Sequence, residues 1–281
     1  MEKLLIVDGM NLLFQMFYGM PARIHGADGR PIHGTLGFVG ALLKILRWEQ
    51  PSHVAVLFDG ECTNVRTEVD GNYKANRPDY SGLPEEETPF SQLPDIFRAL
   101  DDLGISHAET SQCEADDWIA GYALTYGADM DTVIVSYDSD FFQLIGKRVR
   151  VLRYRGEKTA VWDEDCLMEK LGVRPGQYAD FKALTGDNAD NLRGAGKVGP
   201  KTAVKLLAQF GTLDNLLQNL QSVRQSSLRA SLEAAVPRLR TNYLLIKLSA
   251  NESLPFTLDQ LTYTRQDKTT RQVLQSIGVM K

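Results

Sequence analysis

Three short apolar runs, each leading into an aspartate, constrain the fold of this 281-residue chain more than any other feature. Lys3–Asp8 closes on Asp8-Gly9, His53–Phe58 runs into Asp59-Gly60, and residues 132–136 lead through Tyr137 to Asp138, with Asp140 two places on. Runs of aliphatic and β-branched residues without polar alternation read as strands buried on both faces, the habit of parallel sheets. Apolar residues at helical spacing lie between them: residues 36–48, then about 95–103 with Gly104 as cap, then a stretch opening at Glu114. Strands alternating with helices require crossover connections, so the expected fold class is α/β, a central mostly parallel sheet flanked by helices. Shorter strands are expected at residues 149–153 and 159–162. From Asp163 onward the pattern is almost wholly helical, which divides the chain into an α/β core (1–160) and a helical lobe (161–281) packed against it.

The composition, 43% apolar and 24% charged, is that of an ordinary globular chain. No apolar run approaches the roughly 20 residues of a membrane span. Residues 4–7 are too short for a signal-peptide core, so a cytoplasmic location is expected. Cys62, Cys113 and Cys166 are odd in number and scattered, which argues for reduced thiols, and His25, His33, His53 and His107 have no zinc-binding spacing. A net charge of −5 seems at odds with nucleic-acid binding, but distribution matters more than the total. Acids bunch at 114–117, 138–140 and 187–190, whereas residues 191–213 carry Arg193, Lys197, Lys201 and Lys205 and no acid.

Ligands of open parallel sheets sit outside the carboxyl ends of the strands, where Asp8, Asp59, Asp138 and Asp140 should converge. A right-handed connection brings Glu114-Ala115-Asp116-Asp117 in from the same edge, with Glu114 and Asp117 on one helix face. Asp187 and Asp190 add a further pair. Each acid alone reads as a helix-start or solvated strand-end residue. Nine packed together would repel and hold protons unless cations are present. Mg²⁺ prefers carboxylate and water oxygens, and two ions about 3.5–4 Å apart serve phosphodiester hydrolysis.

Gly194 to Gly199 matches G-x-G-x-x-G, but it follows a helical region, with no βαβ unit around it. Pro200 separates Gly199 from Lys201, which excludes a P-loop, and Ala189 and Leu192 stand where a calcium loop needs a ligand and a glycine. The segment reads as a tight turn between helices. Glycine amides there can approach a phosphate, Pro200 suits a first helical position, and Lys201 and Lys205 flank the same backbone. A plain helix hairpin with solvated lysines is the alternative. Residues 61–95, polar and broken by Pro78, Pro84, Pro89 and Pro94, form a long connection of the kind that is either functional or disordered.

These motifs in this order resemble the 5′ nuclease (flap endonuclease) superfamily, especially bacterial and phage 5′–3′ exonucleases and the N-terminal nuclease domain of DNA polymerase I. The resemblance rests on Phe58-Asp59, Tyr73-Lys74-Ala75-Asn76-Arg77-Pro78, Glu114-Ala115-Asp116-Asp117, Asp138-Ser139-Asp140, Lys182 to Asp187, and Asp190-Asn191 leading to Gly199-Pro200-Lys201-Thr202-Ala203. It implies a helical arch at about 64–100 and a helix–three-turn–helix at about 187–210 that grips duplex DNA and can hold K⁺. It also implies Asp8, Asp59, Glu114 and Asp116 around one Mg²⁺ (or Mn²⁺), and Asp138, Asp140 and Asp190 around a second, with Asp117 and Asp187 in support. By the same resemblance Tyr73 stacks on a base, Lys74 and Arg77 contact the scissile phosphate, and Lys182 assists from the opposite wall. Arg193, Gly196, Lys197, Val198, Gly199, Lys201, Thr202 and Lys205 would meet the duplex. The implied activity is cutting of DNA at a 5′ flap or single-strand/duplex junction by a monomer. A PIN-like ribonuclease and a junction binder with a vestigial site remain as alternatives. The sequence departs from the family pattern twice: Lys197 stands at a glycine position of the hairpin, with Gly196 one place earlier, and Ser139 replaces a lysine.

Overall fold

In the computed structural model the aliphatic runs pair side by side: β1 (Lys3–Asp8), β2 (His53–Phe58), β3 (Ser106–Glu109), β4 (Asp131–Val135), β5 (Val149–Arg153) and β6 (Ala160–Trp162). Residues 2–60, 66, 69–80, 82–111, 113–250 and 252–281 are described. The strand order is β3-β2-β1-β4-β5-β6, with every pair parallel except β5 and β6. β3 was not expected, because Ser-His-Ala-Glu is short, polar and half-exposed at the sheet edge.

The two-residue period of the strands sorts side chains between two cores. Leu5, Val7, Val54, Val56, Val133 and Val135 face α1 (Gly9–Gly19), α2 (His33–Glu49) and α3 (Leu93–Asp102). Leu4, Ile6, Ala55, Leu57 and Ile134 face α4 (Ala115–Tyr126) and the helical lobe. That lobe contains α5 (Glu164–Leu171), α6 (Tyr178–Thr185), α7 (Pro200–Phe210), α8 (Leu213–Gln218) and α9 (Ser226–Ile246). Its leucines and those of the sheet form one continuous core, so the lobe is a layer of the molecule.

After α9 the chain returns to the α/β core: Tyr122 donates to the Phe256 carbonyl (2.9 Å), Tyr263 N–H to the Ser52 carbonyl (2.8 Å), and Ala27 N–H to the Val279 carbonyl (3.0 Å). α10 (Thr270–Ser276) buries Val273 and Leu274 against the core that holds α2 and α3. These are contacts between the two ends of the sequence, which local periodicity does not encode.

The expected helical arch at about 64–100 falls partly on residues 64, 65, 67, 68 and 81, which lie outside the described residues, as does Cys62. Its described remainder is helical at Arg66 and Val69, then a series of turns at 71–76, short 3₁₀ segments at Glu85–Glu87 and Pro89–Gln92, and α3.

Candidate metal centre and nucleic-acid interface

β1 lies between β2 and β4, where the chain switches from building one half of the sheet to the other. Asp8 pairs in register with Leu57, and Val7 with Val135, so the strand ends carrying Asp8, Asp59 and Asp138 emerge level. They open into a cleft of about 830 Å³ lined by Asp8, Asp59, Asp116, Asp138, Lys74 and Arg77. Ligand clefts of open α/β sheets form at such a switch point.

Local backbone structure aims each carboxylate. Asp8 caps α1, accepting from Asn11 N–H (3.0 Å) and, through its other oxygen, from the Ser136 hydroxyl (2.8 Å). Asp59 accepts from Ala115 N–H (2.7 Å) at the start of α4, tying the end of β2 to the helix that carries Asp116. Asp138 accepts from Asp140 N–H (2.8 Å), and its own N–H donates to Ser136 (2.9 Å). Asn11 and Ser136 were not singled out in the sequence; the only trace is their place next to strand-end acids.

Burial, then Asp59 and Asp138, push the Asp8 carboxyl up to about 7, even though hydrogen bonds from Asn11 and Ser136 oppose the shift. Burial, followed by Asp138, Asp59 and Asp8, raises Asp116 well above the carboxylate range, with Lys74 opposing. Burial and Asp138 push Asp140 up to about 7 against Lys182. These groups keep protons in the folded state that the unfolded chain has lost, so stability falls as pH rises from the ordinary carboxylate range through about 7. In chelator, the Tm is expected to drop between about pH 5 and pH 8 by a few degrees per kcal/mol of repulsion. Divalent cation should restore it at the higher pH and do little at the lower. Equal melting at both pH values would remove this account.

Asp140, Asp187 and Asp190 bring ligand oxygens within 4.8 Å of one another. Lys182 pairs with both Asp140 and Asp187; burial works against its ammonium, but Asp140, Tyr178 and Asp187 outweigh it and push its pKa up. Asp187 sits on a two-stranded hairpin, β7 (Gly186–Asp187) with β8 (Leu192–Arg193), inside the stretch that the sequence pattern reads as almost wholly helical. A Cβ on Gly194 would lie 2.3 Å from the Thr185 carbonyl carbon, and Gly186 takes φ +83°, so glycine permits the crossing.

Asp138 faces Asp8 and Asp116 as well as Asp140. Glu114 pairs with Lys74 (2.5 Å) and Arg66, and Asp117 with Arg66 (2.7 Å). Arg66 was not picked out from sequence, since nothing local links it to a helix about fifty residues on.

The base of the arch connection is fastened to the acidic loop. Lys74 N–H donates to the Asp190 carbonyl (3.2 Å), Asn76 to the Asn188 carbonyl (2.7 Å), Asn191 to the Asn72 carbonyl (3.0 Å), and Arg77 reaches Asp190 (3.3 Å). Lys74 holds a left-handed φ of +58°, a conformation that costs a non-glycine residue about 1–3 kcal/mol and tends to mark functional sites. Tyr73 departs from its expected role. It is 5% exposed and packs into the core with the Lys74 ammonium 4.8 Å from its ring centroid, so its face is closed to a base in this arrangement. The aromatic side of the cleft is instead Phe14, Tyr80 and Phe90, in mutual edge contact with centroids 5.5–5.9 Å apart.

In the glycine-rich segment Arg193, Gly196, Lys197, Gly199, Lys201 and Lys205 are exposed and Thr202 is half-buried. Val198 is buried and its N–H donates to the Ala195 carbonyl (3.2 Å), so its amide is already engaged. Lys197 takes a left-handed position, φ +64°. Lys197→Gly is therefore expected to stabilise the chain by about 1 kcal/mol, read by denaturant unfolding. A loss of stability would show that Lys197 makes compensating contacts. Pro200 opens α7 behind the Gly199 cap, which presents a helix N-terminus beside Lys201.

Residues 3–172 match the family described as 5′-3′ exonuclease, N-terminal resolvase-like domain, and residues 173–269 match 5′-3′ exonuclease, C-terminal SAM fold. The chain belongs to the 5′–3′ exonuclease family. It is 36% identical over 259 residues to a thermostable DNA polymerase I of Thermus filiformis, covering 92% of this chain and 30% of the relative. It is 34% identical over 275 residues to DNA polymerase I of Rhizobium leguminosarum, covering 95% and 26%. The chain thus spans under a third of those relatives. Among solved structures, the bacteriophage T5 flap endonuclease in complex with DNA and metal ions is 25% identical with a TM-score of 0.71, covering 87% of this chain and 89% of that one. The catalytic core of Rad2 with DNA substrate shares the fold at 18% identity and a TM-score of 0.61, covering 92% and 83%. As a member of this family the chain is a nuclease. None of its described helices is long and apolar enough to cross a membrane.

Proposed function

We propose that the chain hydrolyses phosphodiester bonds of DNA at 5′ ends, flaps and single-strand/duplex junctions with the help of two divalent cations. The observation carrying this reading is the convergence of Asp8, Asp59, Asp116 and Asp138, from four separate segments, in one cleft beside Asp140, Asp187 and Asp190. The donor set is all oxygen, and burial raises Asp8, Asp116 and Asp140, which fits hard cations such as Mg²⁺. Bound there, such ions supply Lewis-acid polarisation of the phosphodiester and an activated water.

The protein's own residues do the positioning. Lys74 and Arg77 line the cleft, where cations would offset charge developing on a phosphoryl group. Phe14, Tyr80 and Phe90 offer ring faces and edges for an unpaired nucleotide, the part first given to Tyr73. Arg193, Lys197, Lys201, Lys205 and the α7 N-terminus would hold the duplex by its phosphates, which sets register without reading sequence. The Gly194 and Gly196 carbonyls already accept from Arg238 (3.1 Å) and Ser231 (2.6 Å), so K⁺ at this turn would draw on other oxygens. Titrating Mg²⁺ against a labelled 5′-flap duplex tests the reading, with single-stranded RNA as a second arm. Flap cleavage that depends on the metal supports it; RNA cleavage alone, or binding without cleavage at any Mg²⁺ level, sinks it.

A further inference from the structure

We infer that the Lys182 ammonium is a built-in occupant of the Asp140/Asp187/Asp190 cluster, so that a divalent cation enters this cluster only in exchange for it. The inference rests on the two-cation reading above and assigns the two halves of the centre very different affinities. Lys182 lies on α6, one of the most buried helices of the lobe, and only 9% of its side chain is exposed. Its Nζ pairs with Asp140 and Asp187 at once, two of the three carboxylates whose oxygens lie close enough together to share an ion. A cation placed among those oxygens meets the ammonium at the same two partners. Leaving an ammonium this deep without its carboxylates is strongly unfavourable, so the exchange is costly.

The other cluster differs. Among the described residues the cations that face it, Lys74 and Arg66, pair with Glu114 and Asp117 and not with Asp8, Asp59, Asp116 or Asp138. Formally, among the described residues four carboxylates stand there without an ion pair, against three of which two share the Lys182 ammonium and the third, Asp190, pairs with Arg77. The first cluster therefore binds a cation tightly, and the second binds one weakly, at the expense of the Lys182 pairs. DNA phosphate arriving beside the second cluster would supply further ligand oxygens and pay the exchange, which makes loading of that ion contingent on substrate.

Calorimetric titration of the full chain with Mn²⁺ alone, without DNA, tests this. Wild type should show a tight and a weak class of site separated by at least about tenfold in affinity. Lys182→Met, which keeps the stem and removes the charge, should tighten the weak class by at least about tenfold and leave the tight class in place. Lys182→Arg should keep the weak class weak. A weak class unchanged or further weakened in Lys182→Met overturns the exchange while leaving the two-cation reading intact; no Mn²⁺ binding by wild type overturns both. Should Lys182→Met fail to fold, the wild-type Lys182 ¹⁵Nζ resonance followed during a Mg²⁺ titration decides. It should move in the second binding phase, and a resonance that holds still through both phases overturns the inference.

Discussion

Asp116→Asn is expected to lower kcat on a 5′-flap duplex by about 10³-fold while leaving affinity for that DNA near wild type in chelator. It should also raise the melting temperature of the metal-free protein near pH 8. The two effects share one cause. Asp116 is buried where Asp138, Asp59 and Asp8 all push its ionised form up in energy. An amide of the same shape removes that repulsion, so the metal-free fold gains stability, by a few degrees for each kcal/mol relieved. The same substitution removes an anionic oxygen from the set that would hold a cation, so the chemistry is lost. Stability and activity thus move in opposite directions, as expected where a site is built at the expense of the fold. Undiminished cleavage would remove Asp116 from the centre. A lowered metal-free melting temperature would mean that the carboxylates are compensated by partners other than cations.

That opposition explains why the acids were the most readable part of the sequence. Aliphatic runs such as Leu4–Val7 and Val54–Phe58 fix strands by composition alone, and a parallel sheet leaves little choice about where Asp8, Asp59 and Asp138 point. What could not be read locally depends on contacts between distant segments. Arg66 reaching Glu114 and Asp117, the Asn76 and Asn191 bonds across the acidic hairpin, and α10 returning to α2 all join residues that share no period. Tyr73 shows the same limit from the other side: its motif was legible, but whether its ring faces solvent or core is settled by Lys74 and by the helices packed around it. Lys197 shows the converse: a left-handed turn position is held by a residue other than the glycine that suits it.

Lys74→Ala is expected to slow cleavage by about 10²-fold in saturating DNA, with little change in the DNA concentration needed for half-maximal rate. The ammonium lines the cleft, 2.5 Å from Glu114, and burial lowers its pKa against the opposing charges of Asp116, Asp190 and Asp59. A cation held in that way would contribute little to gripping a long duplex, whose phosphates would meet the exposed lysines of the 193–205 segment. It contributes most when negative charge builds on the phosphoryl group beside it. Two further variants separate charge from backbone. Lys74→Gly relieves the left-handed strain at φ +58° and also removes the ammonium, so a loss matching that of Lys74→Ala assigns the effect to the charge. Lys74→Arg keeps the charge on a bulkier, forked head and should recover part of the rate. If Lys74→Ala weakened DNA affinity with its turnover intact, the residue would belong to the binding surface. The transition-state charge would then fall to Arg77, which already touches Asp190 across the same opening.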